Sequence, residues 1–128
     1  MGSPNDLAAL VTVLAVFLTF ALGGYTGYLR DTLKIPAPAT TGHPRFERAF
    51  RAHANTVENL VLFLPLLWVA TLYYGGQIPF WLGVAWIVSR ILYAIGYAQT
   101  NTQLRGPGAL LGFASLFGLL VLSVLGLI

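Results

Sequence analysis

The sequence predicts an all-α integral membrane protein, folded as an antiparallel bundle of four transmembrane helices. Of its 128 residues, 57% are hydrophobic and only 9% are charged, whereas a soluble domain has about 25% charged residues. A chain this small has a large surface for its volume, and the small number of charged residues is not enough to make that surface soluble in water. Four apolar runs, each near the roughly 20 residues that a membrane-spanning helix needs, give the number of spans.

The four spans are expected at about residues 7–29, 44–74, 79–98 and 108–128. The second span begins with a polar half and contains Pro65, which cannot donate a backbone hydrogen bond and should kink the helix. The fourth carries no charge. Because no internal repeat or low-complexity tract interrupts the pattern, residues 1–128 are expected to form a single four-helix domain.

The charge of the connections predicts the orientation of the bundle. The first connection, residues 30–45, and the third, residues 99–108, carry arginine, whereas the second, "YYGGQIP", has no charge. The positive-inside rule therefore places the first and third connections on the cytoplasmic side and both termini outside. This orientation explains the net charge of +3 better than nucleic-acid binding does. The N-terminal residues also lack the basic n-region of a signal peptide.

Several kinds of chemistry have little support in the composition. The absence of cysteine excludes disulfides, thiolate metal sites and a cysteine nucleophile. Two histidines and four carboxylates do not favour a closed metal site, so none is expected. His43 and His53 are expected to be loop or interfacial residues. The three tryptophans are expected to face lipid or the membrane interface; they are Trp68, Trp81 and Trp86.

The first half of helix two carries a polar stripe at helical spacing. At positions i, i+3, i+7 and i+10, it consists of Arg48, Arg51, Asn55 and Glu58. Isolated charges in a bilayer are costly, so such groups pair, face the bundle interior or line a wet cavity. One interpretation is a structural network in which Arg51 pairs with Glu58 or Glu47. The other is a site for a zwitterionic ligand that carries carboxylates and an amine.

Helix three contributes a second polar face. Arg90, Tyr93 and Tyr97 lie at i, i+3 and i+7; alone, this pattern is typical of interfacial anchoring. In the predicted topology, however, the same end of the bundle also receives Arg30, Arg51 and Arg105. Convergence of these groups at one membrane depth favours a ligand site.

At these residues the sequence resembles the family of membrane-associated proteins in eicosanoid and glutathione metabolism (MAPEG). The matching motifs are "TTGHPRFERAFRAHANTVENLVLFLPLLWVA", "RILYAIGYA" and "QLRGP". The core pattern, R-A-x-x-N-x-x-E, matches buried polar residues as well as apolar ones. The resemblance is closest to the branch of leukotriene-C synthase and microsomal glutathione transferase, which shares the TTG element and the R-x-x-Y-x-x-x-Y spacing.

The resemblance implies a homotrimer that binds glutathione as cosubstrate in a cleft between adjacent subunits, open to the cytosol and to membrane lipids. It also implies that Arg105 activates the glutathione thiol. The residues that would bind glutathione are Arg30, Arg48, Arg51, Asn55, Glu58, Arg90, Tyr93 and Tyr97. Of these, Arg48 and Arg90 match the family pattern less firmly.

The activity implied is conjugation of the glutathione thiolate to lipophilic electrophiles, or reduction of lipid hydroperoxides. Gly106 and Ala109 stand where the prostaglandin E synthase branch has hydroxyl residues, and Ala54 replaces an arginine of that branch, which argues against prostaglandin E synthase activity. A non-catalytic lipid-binding protein of the same fold is the main alternative. A structural bundle or transporter subunit has less support, because Glu58 is the single candidate for a coupling-ion carboxylate.

Overall fold

The computed structural model describes residues 2–128, apart from the side chain of Thr102. Its helices are α1 (Pro4–Thr32), α2 (Pro44–Val69), α3 (Ile78–Ala98) and α4 (Thr102–Leu127), with a π-helical turn (Ala70–Tyr74) that continues α2. The described residues form no strand. All four helices are long and apolar enough to cross a membrane, so the predicted all-α bundle of four transmembrane helices is confirmed.

Side-chain caps fix where three of the helices begin. The Ser3 hydroxyl accepts a hydrogen bond from the backbone N–H of Asp6 at 3.1 Å, and Pro4 follows it. His43 Nδ1 accepts from the N–H of Arg45 at 3.1 Å, so this histidine caps α2. Asn101 Oδ1 accepts from the N–H of Gln103 at 2.9 Å and starts α4.

The cap at Asn101 starts α4 earlier than the apolar run suggests. The predicted span began at about residue 108, whereas the helix begins at Thr102. Arg105 therefore lies within α4 and not in a loop. Hydropathy marks the part of a helix that lies in lipid, and the cap and a few polar residues extend the helix beyond it.

α2 stays helical through Pro65, and a π-helical turn follows further along the chain. The π-helical turn begins at Ala70, and the N–H of Gly75 donates to the Ala70 carbonyl at 3.0 Å. Gly75 and Gly76 then adopt φ values of 85° and 70°, which side chains with a Cβ rarely adopt. The tight turn that they form returns the chain directly into α3.

The apolar core lies in the middle of the bundle and is built around one aromatic stack. The rings of Phe63 and Trp86 lie 4.0 Å apart with an interplanar angle of 6°, and both side chains are fully buried. Val11 and Leu119 pack into the same cluster from α1 and α4. The expectation that Trp86 faces lipid is therefore wrong, because its ring fills the space between α2 and α3.

The other two tryptophans lie nearer the surface. Trp81 is exposed, as expected of a lipid-facing or interfacial side chain. Trp68 is half-buried, and its Nε1 donates to Thr12 Oγ1 at 3.0 Å. This hydrogen bond joins α2 to α1 at the level of the core.

Close backbone approach at glycines joins α3 to α4. A Cβ on Gly108 would lie 2.9 Å from the backbone nitrogen of Tyr93, and one on Gly112 would lie 2.8 Å from Ser89 Oγ. Helices in lipid gain little from hydrophobic burial against each other, so small residues that permit close van der Waals contact are the main source of their association. These two glycines thus bring α4 against the polar face of α3.

We predict that Gly108→Ala destabilises the bundle by about 1 to 3 kcal/mol, because its methyl group would overlap the α3 backbone. Gly106→Ala is the matched control: it lies in the same helix, and nothing surrounds its Cβ position within 4 Å. Thermal unfolding in detergent should show a lower midpoint for Gly108→Ala alone. Equal midpoints for the two variants would contradict the close approach.

Candidate functional site

The polar residues singled out in the sequence lie toward one end of the bundle, where α1 and α3 end and α2 and α4 begin. We call it the basic end. Six arginines from all four helices lie there. Arg45 is exposed, and the other five are Arg30, Arg48, Arg51, Arg90 and Arg105. The structure separates them into groups with different contacts.

Arg90 forms the buried base of the first group. It is 2% exposed, and its Nη1 donates to Asn55 Oδ1 at 2.6 Å. Its guanidinium carbon lies 4.5 Å from the centre of the Tyr93 ring, a cation–π contact. Because arginine can only donate, the Asn55 amide must turn its oxygen toward Arg90, which leaves the Asn55 NH₂ group free to donate elsewhere.

A row of aromatic and cationic contacts continues from Tyr93 to α4. The rings of Tyr93 and Tyr97 lie 5.3 Å apart, and the Arg105 guanidinium carbon lies 5.0 Å from the centre of the Tyr97 ring. Tyr93 also lies within range of the charges of Arg51 and Arg105. The row Asn55–Arg90–Tyr93–Tyr97–Arg105 therefore connects three helices, and we call it the polar row.

Gly96 sets the position of Arg105 in this row. The chain turns from α3 into α4 within three residues, and the N–H of Asn101 donates to the Gly96 carbonyl at 2.7 Å. A Cβ on Gly96 would lie 2.5 Å from the backbone nitrogen of Arg105, so only glycine fits there. Sequence reasoning missed Gly96; its place one residue before Tyr97, next to a tight turn, is the signal that could have indicated it.

Arg51 and Glu58 lie on the outer side of α2. Arg51 Nη1 is 3.7 Å from Glu58 Oε1, and the two side chains are 52% and 60% exposed. Glu47 instead accepts a hydrogen bond from the N–H of Gly42 at 3.1 Å, so Glu58 and not Glu47 pairs with Arg51. Charged groups on the outer face of a spanning helix are costly in contact with lipid. We therefore expect polar groups, and not lipid tails, to contact this face.

Arg30 holds the connection between α1 and α2. Its Nη1 donates to the carbonyls of Ile35 and Ala39, at 3.2 and 2.8 Å, and its guanidinium carbon lies 4.7 Å from the centre of the Phe46 ring. These contacts link Arg30 to its own connection and not to the polar row. Arg30 would reach a ligand beside the row only if that ligand also contacted this connection.

Two other polar residues of α2 lie against neighbouring helices. His53 packs against α1, where its Nε2 lies 3.0 Å from the Cβ position of Gly23. Arg48 borders a small cavity between α1, α2 and α3, and its buried Nε has no hydrogen-bond partner. Neither residue contributes to the contacts that form the polar row.

The polar row and the adjacent α2 face bring together cations, a carboxylate, an amide and two phenols. Arg51 and Arg105 can bind carboxylates or stabilise a developing anion, and Glu58 can accept hydrogen bonds from an ammonium group. Residues 2–128 contain no group of three or more histidine, aspartate or glutamate side chains that could hold a metal ion. The arrangement is therefore suited to a zwitterionic ligand with an acidic group near Arg105.

We predict an energetic coupling between Arg90 and Asn55. In a double-mutant cycle with Arg90→Met and Asn55→Ala, the free energies of unfolding should be non-additive by about 1 to 2 kcal/mol, as for a hydrogen bond to a charged group inside a membrane protein. Unfolding in mixed detergent micelles measures it. Arg45→Met, at an exposed arginine of α2, is the control and should be additive with Asn55→Ala. Additivity in both cycles would show that the Arg90–Asn55 bond contributes nothing.

The sequence is similar to those of several known proteins. Over 120 residues, the chain is 40% identical to an uncharacterized protein of Synechocystis sp., covering 94% of this chain and 87% of the other. It is 36% identical to leukotriene C4 synthase of Cavia porcellus, over 95% of this chain and 81% of that protein. It is 34% identical to microsomal glutathione S-transferase 2 of Homo sapiens, over 99% of this chain and 86% of that protein.

The match to a family extends over nearly all of the described structure. Residues 8–125 match the profile of the MAPEG family, a span that runs from the first turns of α1 to the last turn of α4 and includes the whole polar row. The chain is an integral multi-pass membrane protein, and it belongs to the MAPEG family.

Proposed function

We propose that this protein is a membrane-bound glutathione transferase in which Arg105 activates the glutathione thiol. The observation that carries the proposal is the polar row, which ends in a cation on the first turns of α4 and lies beside the exposed Arg51–Glu58 pair. The names of the relatives support it, since two of them are a glutathione S-transferase and leukotriene C4 synthase.

The charges of glutathione complement those of the site. The peptide has two carboxylates, one ammonium group and a thiol. Arg51 would bind a carboxylate, Glu58 would accept hydrogen bonds from the ammonium group, and the free NH₂ of Asn55 would donate to a peptide or carboxylate oxygen. Arg90 is buried beneath them and would act by positioning Asn55 and Tyr93.

The thiol end would lie between Tyr93, Tyr97 and Arg105. A free thiol is mostly protonated at neutral pH, and the thiolate is the nucleophile. A guanidinium beside the sulfur lowers the pKa of the thiol because it favours the anion. Arg105 also lies near the N-terminus of α4, where the helix dipole adds to the positive potential. A pKa lowered by two units corresponds to about 3 kcal/mol, and a tyrosine hydroxyl can donate a further hydrogen bond.

The lipophilic substrate would arrive from the bilayer. Beyond Glu58, the outer face of α2 becomes apolar at Leu62 and Pro65, and beyond Arg105 the outer face of α4 does so at Phe113 and Phe117; these residues line one groove. An electrophile lying in it would meet the thiolate at its polar end. Conjugation forms a C–S bond while a bond from the attacked carbon to a leaving group, or to the oxygen of an epoxide ring, breaks, and the displaced oxygen or leaving group takes up the negative charge and then a proton. With a lipid hydroperoxide, the thiolate would attack the terminal oxygen, the O–O bond would break, and the alkoxide would leave and take up a proton as the lipid alcohol. The glutathione sulfenic acid that remains would react with a second glutathione to give glutathione disulfide and water.

A second copy of the chain would cover the exposed pair on α2. We propose the homotrimer that the family resemblance implies, in which a neighbouring subunit shields Arg51 and Glu58 from lipid. In this arrangement the basic end faces the cytoplasm, the side from which glutathione enters, and both termini lie outside.

We predict that Arg105→Ala abolishes the thiolate form of bound glutathione at neutral pH. The ultraviolet absorbance of the thiolate, followed from about pH 5 to about pH 9 in purified protein in detergent, measures this effect. Arg45→Ala, which removes an exposed arginine, should leave the signal unchanged. Loss of the signal in both variants would show an effect of net charge.

Two other results would overturn the proposal. A full thiolate signal in Arg105→Ala would assign thiol activation to another residue. The absence of glutathione binding in the unmodified protein would exclude the transferase and favour a non-catalytic lipid-binding protein of the same fold.

We further predict that Glu58 recognises the ammonium group of glutathione. The unmodified protein should bind glutathione about tenfold more tightly than N-acetylglutathione, and Glu58→Gln should bind the two equally, because a hydrogen bond to a charged group contributes about 1.5 kcal/mol or more. Equilibrium titration measures the affinities. Glu47→Gln is the control and should keep the preference, since Glu47 is engaged by Gly42. A preference retained in Glu58→Gln would remove Glu58 from this role.

A further inference from the structure

A small, mostly apolar cavity bordered by one arginine lies at the basic end, apart from the polar row. It has a volume of about 160 Å³ and lies between α1, α2 and α3. Four of its lining residues are alanines, and the other four are Leu22, Tyr25, Arg48 and Ile95. The short alanine side chains create the space, and Arg48 gives it a positive charge.

The hydrogen bonding of Arg48 is incomplete. Its Nε is buried and has no acceptor, although the side chain as a whole is partly exposed. A buried donor without an acceptor is costly, and more so when it belongs to a charged group. Arg30 and Arg51 each have an oxygen acceptor within the chain. The Nε of Arg90 is also buried without an acceptor, but its Nη1 donates to Asn55, whereas no acceptor contacts Arg48 among the described residues. An acceptor from outside the chain would complete the hydrogen bonding of Arg48.

The position of the cavity indicates where that acceptor comes from. Arg48 lies in the second turn of α2, and Ala98 is the last residue of α3, so the cavity lies near the end of the bundle, at the level of lipid headgroups. Tyr25, whose phenol can donate a hydrogen bond, reaches it from α1. Phenols and guanidinium groups at this depth are suited to phosphate oxygens.

An apolar track leads away from the cavity along α3. Val88, Ile91 and Ile95 lie at i, i+3 and i+7 and are exposed on one face of the helix, and Ile95 also lines the cavity. This track runs from the headgroup level toward the middle of the bundle. A molecule with an anionic head at Arg48 and an acyl chain along this track would match both parts.

From these observations we propose that the cavity between α1, α2 and α3 binds the phosphate headgroup of an anionic phospholipid through Arg48 and Tyr25. The acyl chain lies along Val88, Ile91 and Ile95. None of these residues belongs to the polar row, and the proposal gives Arg48 a lipid contact in place of the glutathione contact that the family resemblance implies for it.

The experiment compares the binding of phosphatidylglycerol, an anionic phospholipid, with that of phosphatidylcholine, which has no net charge. Native mass spectrometry of the full chain in neutral detergent, titrated with each lipid, gives the affinity per subunit. Unmodified protein and Arg45→Gln should bind phosphatidylglycerol equally well, and Arg48→Gln should bind it about tenfold more weakly, which corresponds to about 1.4 kcal/mol. Ala94→Leu, which fills the cavity and keeps Arg48, should weaken binding to a similar degree. Its helical content, measured by circular dichroism, shows whether it folds.

Three results would overturn the proposal. Equal losses in Arg48→Gln and Arg45→Gln would reduce the effect to net charge. Undiminished binding to folded Ala94→Leu would show that the cavity is not used. Complete displacement of the lipid by inorganic phosphate would show that the site binds the free anion and does not recognise a lipid.

Discussion

The close approach of α3 and α4 is the constraint on which the polar row depends. Within a bilayer, two helices gain little by burying apolar surface against each other, and their association depends on van der Waals contact and on small residues that permit it. Gly96, Gly108 and Gly112 remove the side chains that would separate the two backbones. Tyr97 and Arg105, on different helices, then come into cation–π contact. Larger residues at these glycines would separate the phenols from the cation.

A buried arginine complements this packing. Arg90 is the buried member of the row, almost inaccessible, with one hydrogen bond to Asn55 and one ring face of Tyr93 against it. A charge at such a position is costly in a membrane unless it is paired, and its partners are residues that would face a ligand. The same contacts that offset the cost of burying Arg90 therefore restrict the orientations of Asn55 and Tyr93, which is the preorganisation that binding of a charged ligand requires.

The sequence predicted the four helices and the polar end of the bundle, because both depend on local pattern. Apolar runs gave the spans, and helical spacing placed Arg51 and Glu58 on one face. The burial of Arg90 could not be predicted, since Arg90, Tyr93 and Tyr97 share one helical face and the sequence does not say where α2 and α4 cover it. Trp86 was misjudged for the same reason: its stacking on Phe63 joins residues that are distant in the chain. The binding roles of the site residues stay predictions.

The measurement that tests the central claim most directly is the thiolate absorbance of bound glutathione in Gly96→Ala, compared with Gly106→Ala. Gly96→Ala keeps every polar side chain of the site but forces its new methyl group against the backbone of Arg105, 2.5 Å from the nitrogen. If close packing positions the activating cation, the thiolate signal at neutral pH should fall sharply in Gly96→Ala, with helical content unchanged, and should persist in Gly106→Ala. A full thiolate signal in folded Gly96→Ala would contradict the account.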